Sequence, residues 1–355
     1  MTPTAVSSTV RFRAMASEVT LTVAAEGPDA ELALQRARQV FGRVEAACTR
    51  FDPSSPLMTA NADPEGWHVV PQELFDAVVE AWQAHLDTEG LFDPRVLQTL
   101  LRLGYDRSLP FRSGPVTVDT ASISAGDDAT RPQTVPVRAA VLPSASAPWC
   151  PEFDTARRAI RLGGHRIDLG GIGKGLAVRW AAAELAATGA SHLVEAGGDC
   201  FLGGDGPDGT GWRVGIEDPA QPGPAPELVA VLSLRDLACA TSSVRVRTWR
   251  VDGRPVHHLI DPRTSDSAAG GLRSVTVVGP DPAWAEVWSK TLFLLGRAGI
   301  ADACARRSLA AVWVGEDGGL GASAAVRPHL VWTGTAGNSD NADNTDTKWE
   351  VEGAG

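Results

Sequence analysis

Residues 166–199 constrain this chain more than any other stretch. They run Arg-Ile-Asp-Leu-Gly-Gly-Ile-Gly-Lys-Gly, then an alanine-rich segment, and end on Glu-Ala-Gly-Gly-Asp. Ile167–Leu169 reads as the end of a strand. Gly170, Gly171, Gly173 and Gly175 predict a bend that residues lacking a Cβ follow at little cost. From Leu176 the apolar positions Leu176, Ala177, Trp180, Ala181 and Leu185 recur at helical spacing, and Gly189 stops them. A bend that opens a helix aims unpaired N–H groups at one point, which suits a phosphate. Lys174 adds a positive charge there. The alternative is a bend that only packs closely. Neither common phosphate fingerprint fits. Asp168 stands where a P-loop needs its first glycine and Gly175 where it needs a hydroxyl, and the glycine spacing is wrong for a dinucleotide turn.

Composition sharpens the case for Lys174. The chain has three lysines, Lys174, Lys290 and Lys348, although Lys and Arg together number 32. A compact ammonium that sits on phosphate oxygens is one reason to keep a scarce lysine. Net charge is −11 and no Lys/Arg run occurs, which argues against a nucleic-acid partner. The five cysteines are scattered without Cys-x-x-Cys spacing, as reduced thiols would be. The N-terminus lacks a signal-peptide pattern and no run of 18 apolar residues appears. These features predict a soluble, cytoplasmic protein without membrane insertion; they leave its oligomeric state open.

The order of elements predicts an α+β fold of antiparallel sheets packed with helices. Strands fall at 10–13 and 19–23, and an amphipathic helix at 29–47. A polar loop follows over 50–57, then helices at 71–86 and from Pro94, with Asp93 as N-cap. Residues 106–150 read as an irregular excursion, and 158–162 as a strand. Further strands are expected at 212–219, 228–237, 273–278, 310–314 and 329–332, with a turn at 239–243. A hairpin joins 244–251 to 254–260 across Asp252-Gly253. A helix covers 282–295 with Gly296 as its cap. One domain over residues 1–332 precedes an acidic tail, 333–355, whose composition predicts disorder.

In order, these motifs resemble the ApbE-type FAD:protein FMN transferase family. The likeness spans roughly residues 10–315. It rests on Asp168-Leu-Gly-Gly-Ile-Gly-Lys-Gly, Glu195-Ala-Gly-Gly-Asp, Gly90-Leu-Phe-Asp-Pro, Ala240-Thr-Ser and His258-Leu-Ile-Asp-Pro-Arg-Thr. It implies a fold with FAD in a central cleft and transfer of FMN from FAD to a Ser or Thr hydroxyl of a target flavoprotein, with AMP released. It further implies that Asp168, Gly171, Gly173, Lys174 and Gly175 surround the pyrophosphate. Met15, Arg50, Phe51, Ser55, Asn61 and Asp93 would line the flavin and adenosine region, and Asp199, Thr241 and Ser242 would close the pocket. His258 is the candidate general base, since an imidazole can accept a proton near neutrality. Its neighbour His257 would point to the opposite face and serve the structure. Two other outcomes remain open, FAD hydrolysis to FMN and AMP, and flavin binding without catalysis.

The chain departs from the resemblance at one box. The family's Ala-Asp-x-x-x-Thr, whose side chains hold Mg²⁺ with a backbone oxygen near Gly173, reads Ala285-Glu286-Val-Trp-Ser-Lys290 here. Glu286 can ligate a hard cation, but the Lys290 ammonium has no lone pair. The i, i+4 spacing favours a Glu286–Lys290 ion pair. The expectation is that Lys290 partly replaces the metal's charge; the rival is Mg²⁺ held by Glu286, Asp261 or waters. Smaller departures are Ala16-Ser17 for a usual Gly-Thr after Met15, and Arg95 for a usual Thr.

Overall fold

In the computed structural model, residues 7–111, 116–118, 148–221 and 227–334 are described. The expected tail beyond Gly334, and most of the excursion expected at 106–150, lie outside them. The principal sheet has eight strands: β1 (Ser8–Ala14), β2 (Ser17–Val23), β3 (His192–Ala196), β4 (Asp199–Gly203), β5 (Leu237–Ser243), β6 (Leu272–Gly279), β7 (Ala310–Gly315) and β8 (Leu320–Ala322). Spatial order follows chain order, and every neighbouring pair is antiparallel.

Period-two alternation lets this sheet serve two cores at once. On one face lie the helices α1 (Pro28–Cys48), α5 (Gly173–Ala186) and α6 (Pro282–Arg307). Leu21, Val194, Phe41, Val44 and Leu176 meet on that side. Further along, Ala238, Ala240, Val275 and Val277 meet Leu292, Phe293 and Ile300 of α6. The intervening residues face the other way. Cys200, Leu202, Cys239 and Val278 pack on a three-stranded sheet formed by Trp212–Glu217, Leu228–Leu234 and Leu330–Thr333. Of the remaining α-helices, α2 (Pro56–Ala62) and α3 (Gln72–Asp87) flank α1, and α4 (Leu97–Arg102) packs through Leu100 on a separate cluster with Tyr105, Trp249 and Ile260. Among the described residues no helix is long and apolar enough to cross a membrane.

Four local expectations need correction. Ile167–Leu169 is not a strand: the Asn61 amide takes both the N–H and the C=O of Ile167, at 2.8 and 2.9 Å, so its backbone needs no ladder. Residues 239–243 are five of the seven residues of β5, not a turn. Their small polar side chains are tolerated because Ser242 bonds Ser289 and Thr241 bonds Thr276, at 2.8 and 2.9 Å. The polar loop after Arg50 turns into α2 once Ser55 caps it through the Met58 N–H. Gly296 kinks α6 rather than ending it, with φ 69° and ψ −177° against the backbone of Gly270.

Candidate functional site

Most of the sequence-predicted residues line two cavities that meet; Ser55, Asn61, Gly175, Asp199 and Asp261 line neither. The first, of about 430 Å³, lies between the end of α1, the segment 91–105 and the glycine bend. Its walls include Met15, Arg50, Phe51, Phe92, Asp93, Tyr105, Asp168, Gly171 and Gly173. The second, of about 440 Å³, opens between the principal sheet and the strand Trp212–Glu217, and carries Thr241, Ser242 and Glu286 on its walls. Ala16, Gly170, Lys174, Arg247, His258 and Lys290 line both.

The glycine bend is part cradle and part packing device. A Cβ on Gly175 would lie 2.6 Å from the Ala283 Cα, so this glycine lets α5 press against the start of α6. A Cβ on Gly171 would lie 2.9 Å from the Phe92 ring. Most of the bend's N–H groups find partners inside the protein. Gly170 donates to the Asp168 carboxylate, Ile172 and Gly173 to the Leu169 carbonyl, and Gly175 to Glu286 Oε2. The N–H groups of Gly171 and Lys174 have no acceptor among the described residues, so the free donors are fewer than the glycine count suggests.

Charge gathers beside the bend. Glu286 is 1 % exposed, and its Oε1 accepts from the Lys174 ammonium at 2.8 Å and the Lys290 ammonium at 3.0 Å. Lys174 also pairs with Asp199, whose Oδ1 accepts the Thr241 N–H at 3.2 Å. Burial opposes the charge on Glu286, but the two ammoniums outweigh it and hold its pKa near 2. Burial likewise opposes the charge on Lys174, and there Asp199 and Glu286 raise the pKa. Lys290 goes the other way: burial lowers it, and Glu286 does not fully compensate beside the like charge of Lys174. The expected Glu286–Lys290 ion pair is therefore present, and Lys174 is engaged in the same cluster instead of standing free.

His258 lies where the two cavities join. Burial, then the charges of Arg247 and Lys290, push it well below the usual imidazole range, so it is neutral at pH 7. Its Nδ1 is buried without a partner. His257 takes the structural role expected of it. Its Nε2 lies 3.0 Å from the Ala268 carbonyl, and its ring meets Phe293 edge-on.

Several predicted residues act from outside the cavity walls. Ser55 caps α2, and Asn61 clamps Ile167 one residue before Asp168. Asp261 is saturated by the Arg263 guanidinium, at 2.7–3.2 Å, and by the Arg263 N–H, and it lines neither cavity. Within the walls, Asp93 is gripped by Arg95 through two guanidinium nitrogens. Arg50 stacks between Phe51 and Tyr105 and reaches Asp168 at 3.2 Å.

Sequence reasoning missed Arg247. The hairpin it anticipated holds the signal. Thr248 pairs with His257, so the next position outward sets Arg247 beside His258, and the His258 N–H donates to the Arg247 carbonyl at 3.3 Å.

The β1–β2 turn delivers Met15 and Ala16 to the site at a conformational cost. Both have positive φ, 51° and 58°, as a two-residue type I′ hairpin requires. Ala16→Gly is expected to stabilise the fold by about 1 kcal/mol, because a Cβ is disfavoured there by roughly that amount. A higher urea midpoint at unchanged slope checks it.

The sequence matches the description "ApbE family" over residues 15–313. The FAD:protein FMN transferase of Escherichia coli K12 is 30% identical over 153 residues, 43% of this chain and 43% of that protein. The chain thus aligns with less than half the length of that relative. A FAD:protein FMN transferase of Klebsiella pneumoniae strain 342 is 27% identical over 277 residues, 75% of this chain and 76% of that protein. Among solved structures, the Thermotoga maritima ApbE protein superposes with a TM-score of 0.71 at 22% identity. That match covers 91% of this chain and 99% of the other, and it shows a shared fold.

Proposed function

We infer the activity from one premise: this chain belongs to the ApbE family. It transfers FMN from FAD to a Ser or Thr hydroxyl of an acceptor flavoprotein and releases AMP. The observation that carries this is the junction of two cavities at Lys174, Lys290, Arg247 and His258. The first cavity, walled by Phe92, Leu100, Tyr105 and Leu169, takes the flavin nucleotide in the cleft of a single domain spanning 1–332. The second admits the acceptor hydroxyl. The cations at the junction hold the pyrophosphate. The hydroxyl oxygen attacks the phosphorus of the FMN half, the bond to the AMP phosphate breaks, and the hydroxyl proton passes to His258. Such a transfer needs positioning and charge neutralisation more than covalent chemistry.

The donor set does not fit the Mg²⁺ of the family's usual site. Both Glu286 oxygens already accept protein donors, and Lys290 stands where a hydroxyl ligand would. Asp261, the other carboxylate considered, is taken by Arg263. No group of three His, Cys, Asp or Glu among the described residues is arranged to hold a metal.

Incubation with FAD and a flavoprotein bearing a Ser/Thr acceptor site tests the activity by mass spectrometry. The expected result is an FMN adduct on the acceptor together with free AMP. Free FMN and AMP without an adduct would make the chain a pyrophosphatase, and intact FAD would make it a binding protein.

A further inference from the structure

Three cations meet at the cavity junction against two carboxylates. Lys174 is paired with both Asp199 and Glu286, and Lys290 shares Glu286. Arg247 makes no ion pair among the described residues, though it lines both cavities beside His258. Asp199 and Glu286 are thus taken up by the two ammoniums, and the Arg247 guanidinium is left at the junction without an ion-pair partner among the described residues. A guanidinium stays ionised at any working pH and presents a planar fork of donors to phosphate oxygens. A divalent ion would have to displace an ammonium from Glu286 or sit against two of them. Mg²⁺ binds through near-octahedral oxygens at about 2.0–2.1 Å, which this crowded carboxylate does not offer.

We propose that Arg247 and Lys290 together replace a divalent cation in this chain: they bind the FAD pyrophosphate and neutralise its charge, so that FAD is held without metal. The proposal rests on the flavin-transfer reading for its ligand but not for its test. Phosphoryl transfer elsewhere uses bound metal ions or arginine side chains for the same electrostatic task. Here Arg247 supplies a charge free of any ion pair among the described residues, while Lys290, fixed by Glu286 four residues earlier on α6, adds an ammonium at the same junction.

The test is FAD affinity by flavin fluorescence, with protein stripped by EDTA and then with Mg²⁺ restored. The wild type is expected to bind equally under both conditions, within about twofold. Arg247→Met should weaken binding in EDTA by about tenfold or more, the loss of a charge-assisted contact. Lys290→Thr should weaken it in EDTA and recover with Mg²⁺, because a hydroxyl then stands beside a partly freed Glu286. Lys290→Arg keeps the charge and should bind near the wild-type level in EDTA. Circular dichroism confirms that each variant folds. Wild-type binding that requires Mg²⁺, or wild-type affinity in Arg247→Met, would overturn the proposal whatever the transfer assay shows. FAD binding without metal but without transfer would uphold it and sink the transferase assignment. No binding under either condition sinks both.

Discussion

His258→Ala is expected to lower FMN transfer by about 10²- to 10⁴-fold, the usual contribution of a positioned general base. FAD affinity should change little, since the pyrophosphate is held by the neighbouring cations. The pH profile distinguishes this role from a structural one. Burial, with Arg247 and Lys290, depresses the His258 pKa, so the imidazole stays neutral as pH falls through 6.5, its usual midpoint. The acid limb of kcat/KM should therefore lie below pH 6.5. Lys290→Met removes one of the depressing charges and should move that limb upward. The sign for folding is the same. The unfolded chain takes up the His258 proton first, so this group's share of stability is full above pH 6.5. It is lost as pH falls from there toward the folded pKa. An acid limb at or above 6.5, or transfer that survives His258→Ala, would remove His258 from the mechanism.

The fold was legible where side-chain alternation or an apolar run carried it. β1 and β2 alternate along their length, while β6 and β7, buried on both faces between two cores, show instead as short apolar runs. β5 was not legible as a strand: the strand expected over 228–237 ends at Leu234, and β5 starts at Leu237. Thr241 faces a cavity and Ser242 faces Ser289, so neither position requires an apolar residue, and Ala-Thr-Ser-Ser reads as a turn. At the site, the sequence located the glycine bend and its lysine. It could not show that Gly175 is there largely so that α5 can approach Ala283, or that Lys174 would meet two carboxylates from distant strands and helices. Such pairings are set by long-range packing, and one-dimensional spacing holds no trace of them. The Glu286–Lys290 pair was legible because it is local, one turn apart on α6. Arg247 fell between these cases. Its place followed from hairpin register, but nothing about an arginine in an arginine-rich chain singled it out.

Glu286→Gln should produce the largest loss of stability of any single change at the site, about 3–5 kcal/mol, the range for breaking a buried ion pair. The glutamine keeps the shape but leaves Lys174 with Asp199 alone and Lys290 with no carboxylate contact in the cluster. Its amide would also face N–H donors on one side: the Gly175 N–H or an ammonium meets an NH₂ group where an oxygen had been. Urea unfolding should show a lower midpoint at unchanged slope. Adding Lys290→Met removes one stranded ammonium, so the double variant should regain part of the loss. The two changes are then non-additive, as expected of groups in direct contact. Acid separates this explanation from simple loss of packing. The folded pKa of Glu286, near 2, lies below the unfolded value of about 4.3, so its contribution is complete above 4.3 and disappears as pH falls from there through 2. The stability gap between wild type and Glu286→Gln should therefore narrow across that window. A gap that stays constant from pH 5 to pH 2 would mean that the charge on Glu286 is not what holds the two lysines in place.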